Sequence, residues 1–142
     1  MVASIDVFSA FETKLDARLI GSTALVTFLE GQFVYNHVAY PEAPGSGYVI
    51  YQNQTQVATQ VQAKGNYSLL YYIKGVVAGP ENIERAAYIN TLIRQAVNEQ
   101  PVDMTADGYL NFRIREEGGQ KYPDNFGYWH HGGLYRVLIE EQ

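Results

Sequence analysis

The feature that most constrains the fold is a long run of β-forming residues in the middle of the chain. Tyrosine, valine, leucine and isoleucine dominate residues 67–77, and these residue types favour strands. A second β-prone segment lies at residues 48–51, and residues 64–66, Lys-Gly-Asn, have the composition of a turn. The sequence therefore predicts a β-hairpin over residues 48–77 with a polar tip.

The polar part of this hairpin is still compatible with a strand. Valine and threonine at positions 57, 59 and 61 alternate with alanine and glutamine. A long polar hairpin of this kind usually extends beyond its own core or pairs with a neighbouring chain. We therefore predict that residues 52–66 form protein contacts, and the interface candidates are Thr55, Val57, Thr59 and Val61. A disordered loop between two shorter strands is the open alternative.

Apolar residues spaced by three or four positions predict three helices. The first covers residues 5–19 and has Ser4 as its N-cap. The second is short, covers residues 22–29 and is capped by Ser22. The third begins with a proline and covers residues 80–97, where acidic residues favour its positive N-terminal end.

The remaining strand signals cover residues 33–40, 109–116 and 134–141. In the middle one, Leu110, Phe112 and Ile114 alternate with polar residues, which predicts one buried and one wet face. This order of elements predicts an α+β fold. We expect a mainly antiparallel β-sheet, flanked on one face by the N-terminal helix and a second long helix. The length of 142 residues predicts one domain, residues 1–142.

A loop of sixteen residues is predicted between the last two strands, at residues 118–133. Loops that long inside a compact domain are usually functional. Aromatic side chains set among glycine and proline match the composition of interface hot spots. We therefore predict a protein interface anchored by Tyr122, Phe126, Tyr128 and Trp129. The alternative is that Phe126 and Trp129 fold back to cover the sheet.

The composition argues against several classes of partner and site. The net charge of −5 argues against a protein that holds nucleic acid, because phosphate binding needs clustered lysine and arginine. The chain has no cysteine, so disulfides and thiolate metal sites are excluded. We expect neither a signal peptide nor a membrane span. The 12 tyrosines suit a contact surface, although tyrosine also favours strands.

No catalytic or cofactor-binding pattern is found. His130 and His131 are neighbours, so in an extended segment they point to different sides and rarely bind one metal together. The G-x-S-x-G motif is missing, and glycine-rich residues 45–47 lack the phosphate-loop pattern. The acidic pairs at 116–117 and 140–141 are more typical of a solvated strand edge. We therefore expect no catalytic residue, no metal and no cofactor.

The order of elements resembles a known protein family. The likeness rests on the proline-containing turn and aromatic strand at residues 38–51, the strand at residues 71–75 that leads to a long helix, and the closing strand at residues 134–140. With the N-terminal helix, these segments are similar in order, length and character to the tail-completion or tail-terminator proteins of long-tailed bacteriophages, and to the related head–tail joining proteins. The likeness covers residues 5–140.

The resemblance implies a structural virion protein. Members of this family are α+β subunits that form a hexameric ring, cap the tail tube and present a surface to the neck, without a cofactor. The implied partners are further copies of the chain, the tail tube protein and a neck or head-completion protein. The implied location is the tail–neck junction of the virion, after assembly in the host cytoplasm. DNA would pass through the ring without being specifically bound.

Other functions stay open at this point. A head–tail adaptor and a tail tube subunit share the same general features. A small ligand-binding or enzymatic α+β domain, with the loop around Trp129 as a lid, is the alternative from another class.

Overall fold

A twisted sheet with helices on one face organises the chain. The computed structural model describes residues 6–39, 43–54, 61–63, 65–79 and 82–142, with only the backbone described at 61–63. The helices and strands of the described part are α1 Val7–Ile20, α2 Thr23–Leu29, β1 Val34–Asn36, β2 Tyr48–Asn53, β3 Val61–Ala63, β4 Asn66–Ala78, α3 Ile83–Val97, a short 3-10 helix Thr105–Asp107, β5 Tyr109–Pro123 and β6 Tyr128–Glu141.

The sheet has the strand order β1-β2-β4-β6-β5, and β3 pairs with the beginning of β4. β1 and β2 are parallel, whereas every other described pair is antiparallel. The predicted α+β class and the mainly antiparallel sheet are confirmed. β1 and β5 form the two edges of the strand order, and β4 and β6 lie at its centre.

The predicted hairpin is present in the described residues. β2 pairs with the second half of β4, from Tyr48 opposite Val76 to Asn53 opposite Tyr71. β3 pairs with the start of β4 through a turn in which Gly65 has a φ of +80°, a conformation that favours glycine. Residues 55–60 at its polar tip lie outside the described residues.

The first two helices begin at residues whose side chains satisfy free N–H groups of the first turn. Asp6, rather than Ser4, caps α1, because its carboxylate accepts a hydrogen bond from the backbone N–H of Ser9 at 2.9 Å. Ser22 caps α2 as predicted and accepts from the N–H of Leu25. The proline predicted to open the third helix lies outside the described residues. Within them, α3 begins at Ile83.

The main core lies between the helices and one face of the sheet. The rings of Phe11 on α1 and Tyr71 on β4 lie 5.0 Å apart, centroid to centroid. α3 approaches β4 closely at Gly75, where a Cβ atom would lie only 2.5 Å from Cγ2 of Ile89. Glycine is therefore required at this crossing, and Ile89 is fully buried against it.

The prediction of a loop at residues 118–133 is wrong. β5 continues to Pro123 and β6 begins at Tyr128, so only residues 124–127 form the turn of a long hairpin. In this stretch β6 pairs with β4 on its other side, from Ala78 opposite Tyr128 onward. Glycine and polar residues have low strand propensity, but β6 is stabilised here by pairing with a strand on each side. The tertiary context therefore overrides the local propensity.

The predicted alternation in β5 is wrong for Leu110 and Phe112, whereas Ile114 is buried as predicted. Asn111 is buried, with 4% of its surface exposed, whereas Leu110 and Phe112 are 40% and 51% exposed. A β-bulge between Asn111 and Arg113 shifts the register and reverses which residues face the core. The amide of Asn111 accepts from the N–H of Val102 at 2.9 Å and donates to two carbonyl groups, so its burial leaves no polar group unsatisfied.

Candidate interaction surfaces

The turn of the β5–β6 hairpin presents one aromatic side chain to solvent. Phe126 is 87% exposed. One carboxylate oxygen of Asp124 accepts from the N–H groups of Phe126 and Tyr128, at 2.8 and 3.0 Å. The other oxygen lies 2.7 Å from Nε2 of His130. These bonds fix the turn, so the Phe126 ring is held outward by an ordered backbone.

The electrostatics of this turn favour a neutral histidine beside an ionised aspartate. Burial lowers the pKa of His130, and the hydrogen bond to Asp124 opposes this only in part. Burial raises the pKa of Asp124, but hydrogen bonds from His130 and from the backbone lower it by more. Near neutral pH, the contact between His130 and Asp124 is therefore a hydrogen bond from a neutral imidazole to a carboxylate.

Lys74 is buried on the sheet face opposite the helices. Its Nζ donates to the hydroxyl of Tyr122 at 3.0 Å and lies 5.1 Å from the centroid of the Tyr72 ring. The Tyr122 ring stacks on His130, with centroids 4.7 Å apart. A Cβ at Gly132, directly opposite on β6, would collide with Lys74, so glycine allows Lys74 to cross β6 toward β5.

The predicted aromatic anchors are not brought together. Tyr122 and Tyr128 lie on the face without helices, half-buried, and Tyr122 is held by Lys74 and His130. Trp129 points to the other face and packs against the main core. Phe126 stands alone at the turn. Their role in a protein interface stays a prediction, and Phe126 is the member whose ring is free for a partner to cover.

The candidates in the polar hairpin cannot be placed as a surface. Thr55, Val57 and Thr59 lie outside the described residues, and Val61 is part of β3. Their role as interface residues also stays a prediction.

An apolar groove follows the β5 edge of the sheet, where the sequence predicted none. It has a volume of about 440 Å³ and is lined by Glu99, Pro101, Phe112, Arg113 and Leu138. Arg113 donates to both carboxylate oxygens of Glu99, at 3.1 and 3.2 Å. The groove exists because the bulge turns Phe112 outward. The only trace of it in the sequence is an asparagine between two apolar residues, which by itself does not predict a bulge.

An acidic cleft lies at the opposite edge, between α1 and the strands β1 and β2. It has a volume of about 400 Å³ and is lined by Ser9, Glu12, Thr13, Asp16, Asn36 and Tyr51. Glu12 accepts from Asn36 and from the hydroxyl of Tyr71, at 2.8 and 2.6 Å. Asp16 accepts from the hydroxyl of Tyr51, and burial raises the pKa of Asp16. Neither carboxylate forms an ion pair with any other described residue.

A third, polar cleft lies between α3 and the β5–β6 hairpin. Arg94 on α3 forms an ion pair with Glu116 on β5 at 3.0 Å, and the Glu116 carboxylate lies over Gly133 of β6. His131 lines this cleft, whereas His130 contacts Tyr122 on the other face. The two histidines therefore point to opposite sides, as the sequence predicted.

Two further features bear on the kind of site. Within the described ranges, no group of three or more histidine, aspartate or glutamate residues is placed to hold a metal ion. No helix in the same part of the chain is long and apolar enough to cross a membrane.

Comparison with known proteins identifies the fold. No family model matches the sequence, and no curated protein matches it. A chain in the virion of the native gene transfer agent (GTA) particle superposes with a TM-score of 0.77 at 14% identity, covering 96% of this chain and 99% of that one. The gp17 protein of bacteriophage SPP1 gives a TM-score of 0.50 at 15% identity, covering 94% and 90%. A third solved structure gives 0.58 at 9% identity, with 95% of both chains covered. At these identities the likeness shows a shared fold.

Proposed function

We propose that the chain is a structural subunit of a phage-like virion, the tail terminator, which closes the tail tube as a ring and joins it to the neck. The observation that carries this proposal is the superposition on a chain of the GTA virion over nearly the whole length of both chains. The likeness to a bacteriophage protein supports the same class.

The surface of the subunit supports assembly as its role. Large apolar side chains are exposed at the two edges of the sheet and at the hairpin turn, namely Val38, Leu110, Phe112 and Phe126. Exposed apolar groups of this size, rimmed by charges, are typical of protein contact surfaces. The apolar groove and the two polar clefts are all open to solvent, unlike the enclosed apolar pockets in which small ligands usually bind.

The proposed partners follow from this role. Six copies of the chain would form the ring, a number that the mass of the assembly tests. The tail tube protein and a neck or head-completion protein would contact its two sides. The ring would lie at the tail–neck junction after assembly in the host cytoplasm.

The test is the state of assembly of the purified full chain. Light scattering after size-exclusion chromatography, with negative-stain electron microscopy, should show closed rings one subunit high. Added to the tail tube protein of the same particle, these rings should bind one end of the tubes and stop their growth. Tubes made from the chain alone would indicate a tube subunit instead. Rings that bind the neck but leave tube growth unchanged would indicate a head–tail adaptor.

A monomer that forms no ring, alone or with the tube protein, would contradict the proposal. If such a monomer were also stabilised against heat by a metabolite, the small ligand-binding domain would become the better explanation.

The passage of DNA is tested separately. Because the chain carries a net charge of −5, the assembled ring should bind double-stranded DNA weakly even at low salt, where attraction between unlike charges is strongest. Tight binding that weakens steeply with added salt would show that the ring holds DNA rather than letting it pass.

A further inference from the structure

We propose that the β5 edge of one copy docks against the α1–β1 edge of the next copy, with Arg115 facing Asp16 and the groove beside Phe112 buried in the same contact. This inference rests on the proposed ring, and it assigns the two surfaces that would join neighbouring subunits.

The β5 edge offers apolar surface together with an exposed positive charge. Leu110 and Phe112 are exposed because the bulge turns them away from the core. Arg113 forms an ion pair with Glu99, whereas Arg115 is exposed and acts on Glu99 only through a weaker Coulombic attraction, without an ion pair to a described residue. An exposed arginine on the same strand as an outward-facing phenylalanine has the composition of an interface anchor.

Like charges next to Arg115 make it available to another chain. Its direct partner on β6 is Arg136, so the two arginine side chains leave the sheet on the same face. Glu117 binds Arg136, at 3.2 Å between Nη2 and Oε1. The nearby carboxylates of Glu99 and Glu117 are thus each engaged by another arginine. A carboxylate from a second copy would therefore bind Arg115 without competing with an existing pair.

The α1–β1 edge carries the complementary charge. Glu12 and Asp16 lie one helical turn apart on α1 and face the same cleft. The groups that donate hydrogen bonds to them are uncharged: an asparagine amide and two tyrosine hydroxyls. Because a guanidinium carries a full positive charge and can donate two N–H groups to one carboxylate, an arginine entering the cleft would be a stronger partner for Asp16 than the hydroxyl of Tyr51.

The same edge also exposes an apolar residue. Val38 follows β1 and is 67% exposed, so it offers a counterpart to Leu110 and Phe112. Each edge of the sheet therefore combines exposed apolar surface with charge, and the signs are opposite.

The placement of the two edges sets the symmetry of the contact. They lie at opposite ends of the strand order, so a contact between them joins different surfaces of two copies. Such a head-to-tail contact produces a closed ring when the rotation between subunits closes. A contact between two β5 edges would instead bring Arg113 and Arg115 near their own copies, which repel one another.

Charge reversal tests the pairing in the full-length chain. Arg115→Glu and Asp16→Arg should each raise the concentration needed for half-assembly by about tenfold or more, since each places like charges across the contact. The double variant Arg115→Glu/Asp16→Arg should assemble again. An equal mixture of the two single variants should also form rings, because alternating subunits place unlike charges at every contact.

Two controls separate this contact from general effects of charge and folding. Glu84→Arg, a reversal at an exposed position on α3, should leave assembly unchanged. Phe112→Ser should weaken assembly while circular dichroism shows an unchanged fold, since this side chain is half exposed in the single chain.

The outcomes distinguish the surface from the function. Rings that survive both single reversals and Phe112→Ser would overturn the assigned surfaces and leave the proposed ring intact. Rescue of Arg115→Glu by wild-type chain alone would also overturn them, because it would place Arg115 opposite itself. A wild-type chain that never forms rings would overturn the proposed function together with this inference.

Discussion

Phe126 at the turn of the β5–β6 hairpin allows a test that separates an interface from the core. Its ring is 87% exposed, so the folded chain buries only a small part of it. Burying a whole phenylalanine side chain contributes about 1.5–3 kcal/mol. The substitution Phe126→Ala should therefore change the free energy of unfolding by less than about 0.5 kcal/mol, as is usual for surface positions.

The effect on association should be much larger. If a partner covers the ring, the alanine variant loses most of those roughly 1.5–3 kcal/mol on binding. This corresponds to a dissociation constant that rises about ten- to a hundredfold. Urea unfolding would measure the stability, and titration of labelled chain into its own ring or onto tail tubes would measure the association.

Trp129 is the matched control in the same hairpin. Its ring is half-buried and packs against the main core. Complete truncation of a buried tryptophan costs about 3–5 kcal/mol, so we expect Trp129→Ala to lower the free energy of unfolding by about 1.5–2.5 kcal/mol. The two variants should thus differ in which quantity changes, although both remove an aromatic ring from one short segment.

Two results would refute this reasoning. A loss of more than about 1 kcal/mol of stability in Phe126→Ala would mean that the ring packs within its own chain. Unchanged association with both the ring and the tube would mean that the hairpin turn is not part of an interface. If Trp129→Ala instead weakened binding without lowering stability, Trp129 would be an interface anchor, as the sequence predicted, and not part of the core.

Three further predictions concern the rest of the molecule. Gly75→Ala should destabilise the chain by about 1–3 kcal/mol in urea unfolding, because its Cβ would press on α3, whereas Gly118→Ala should be neutral since nothing lies within 4 Å of its Cβ. Burial lowers the pKa of His130 and His131, so stability should fall as pH drops through about 6.5 and stay flatter in a variant with glutamine at both positions. Deleting residues 55–62 should leave a folded monomer that no longer assembles; an unfolded product in circular dichroism would place this segment in the core.

Much of the fold follows from patterns in the sequence that local physics decides. The first and third helices are visible because apolar residues at three- and four-residue spacing make one face of each helix buried. β4 is visible because its tyrosine, leucine, isoleucine and valine residues are strand formers. Ser22 is recognised as a cap because serine is favoured directly before a helix, where its hydroxyl accepts from a free N–H group of the first turn.

The errors occur where a tertiary contact decides the structure. Leu110, Phe112 and Ile114 alternate perfectly, so period alone places them on one face. The bulge appears only when the Asn111 amide meets the N–H of Val102 and the carbonyl of Leu138, and neither partner can be identified from the sequence of β5. The groove on the β5 edge depends on this bulge, which is why a candidate interface was missed.

The Gly-rich half of the hairpin shows how a segment with few apolar groups can still be ordered. Gly132 and Gly133 are successive residues of β6, so they open space on opposite faces of the sheet. Over Gly132, Lys74 of β4 reaches the hydroxyl of Tyr122 on β5. Over Gly133, the carboxylate of Glu116 on β5 lies across β6 and binds an arginine of α3.

These two crossings connect β5 to the elements beyond β6 through polar side chains, one on each face. The hairpin that carries Phe126 is therefore held by hydrogen bonds and an ion pair where other strands are held by apolar packing. The composition of residues 118–133 predicted a loop because the segment contains few aliphatic residues. The order arises from pairs of residues far apart in the chain, which composition does not report. A subunit that must present an exposed aromatic residue to a partner gains from this arrangement, because an ordered turn loses less conformational entropy on binding than a mobile loop would.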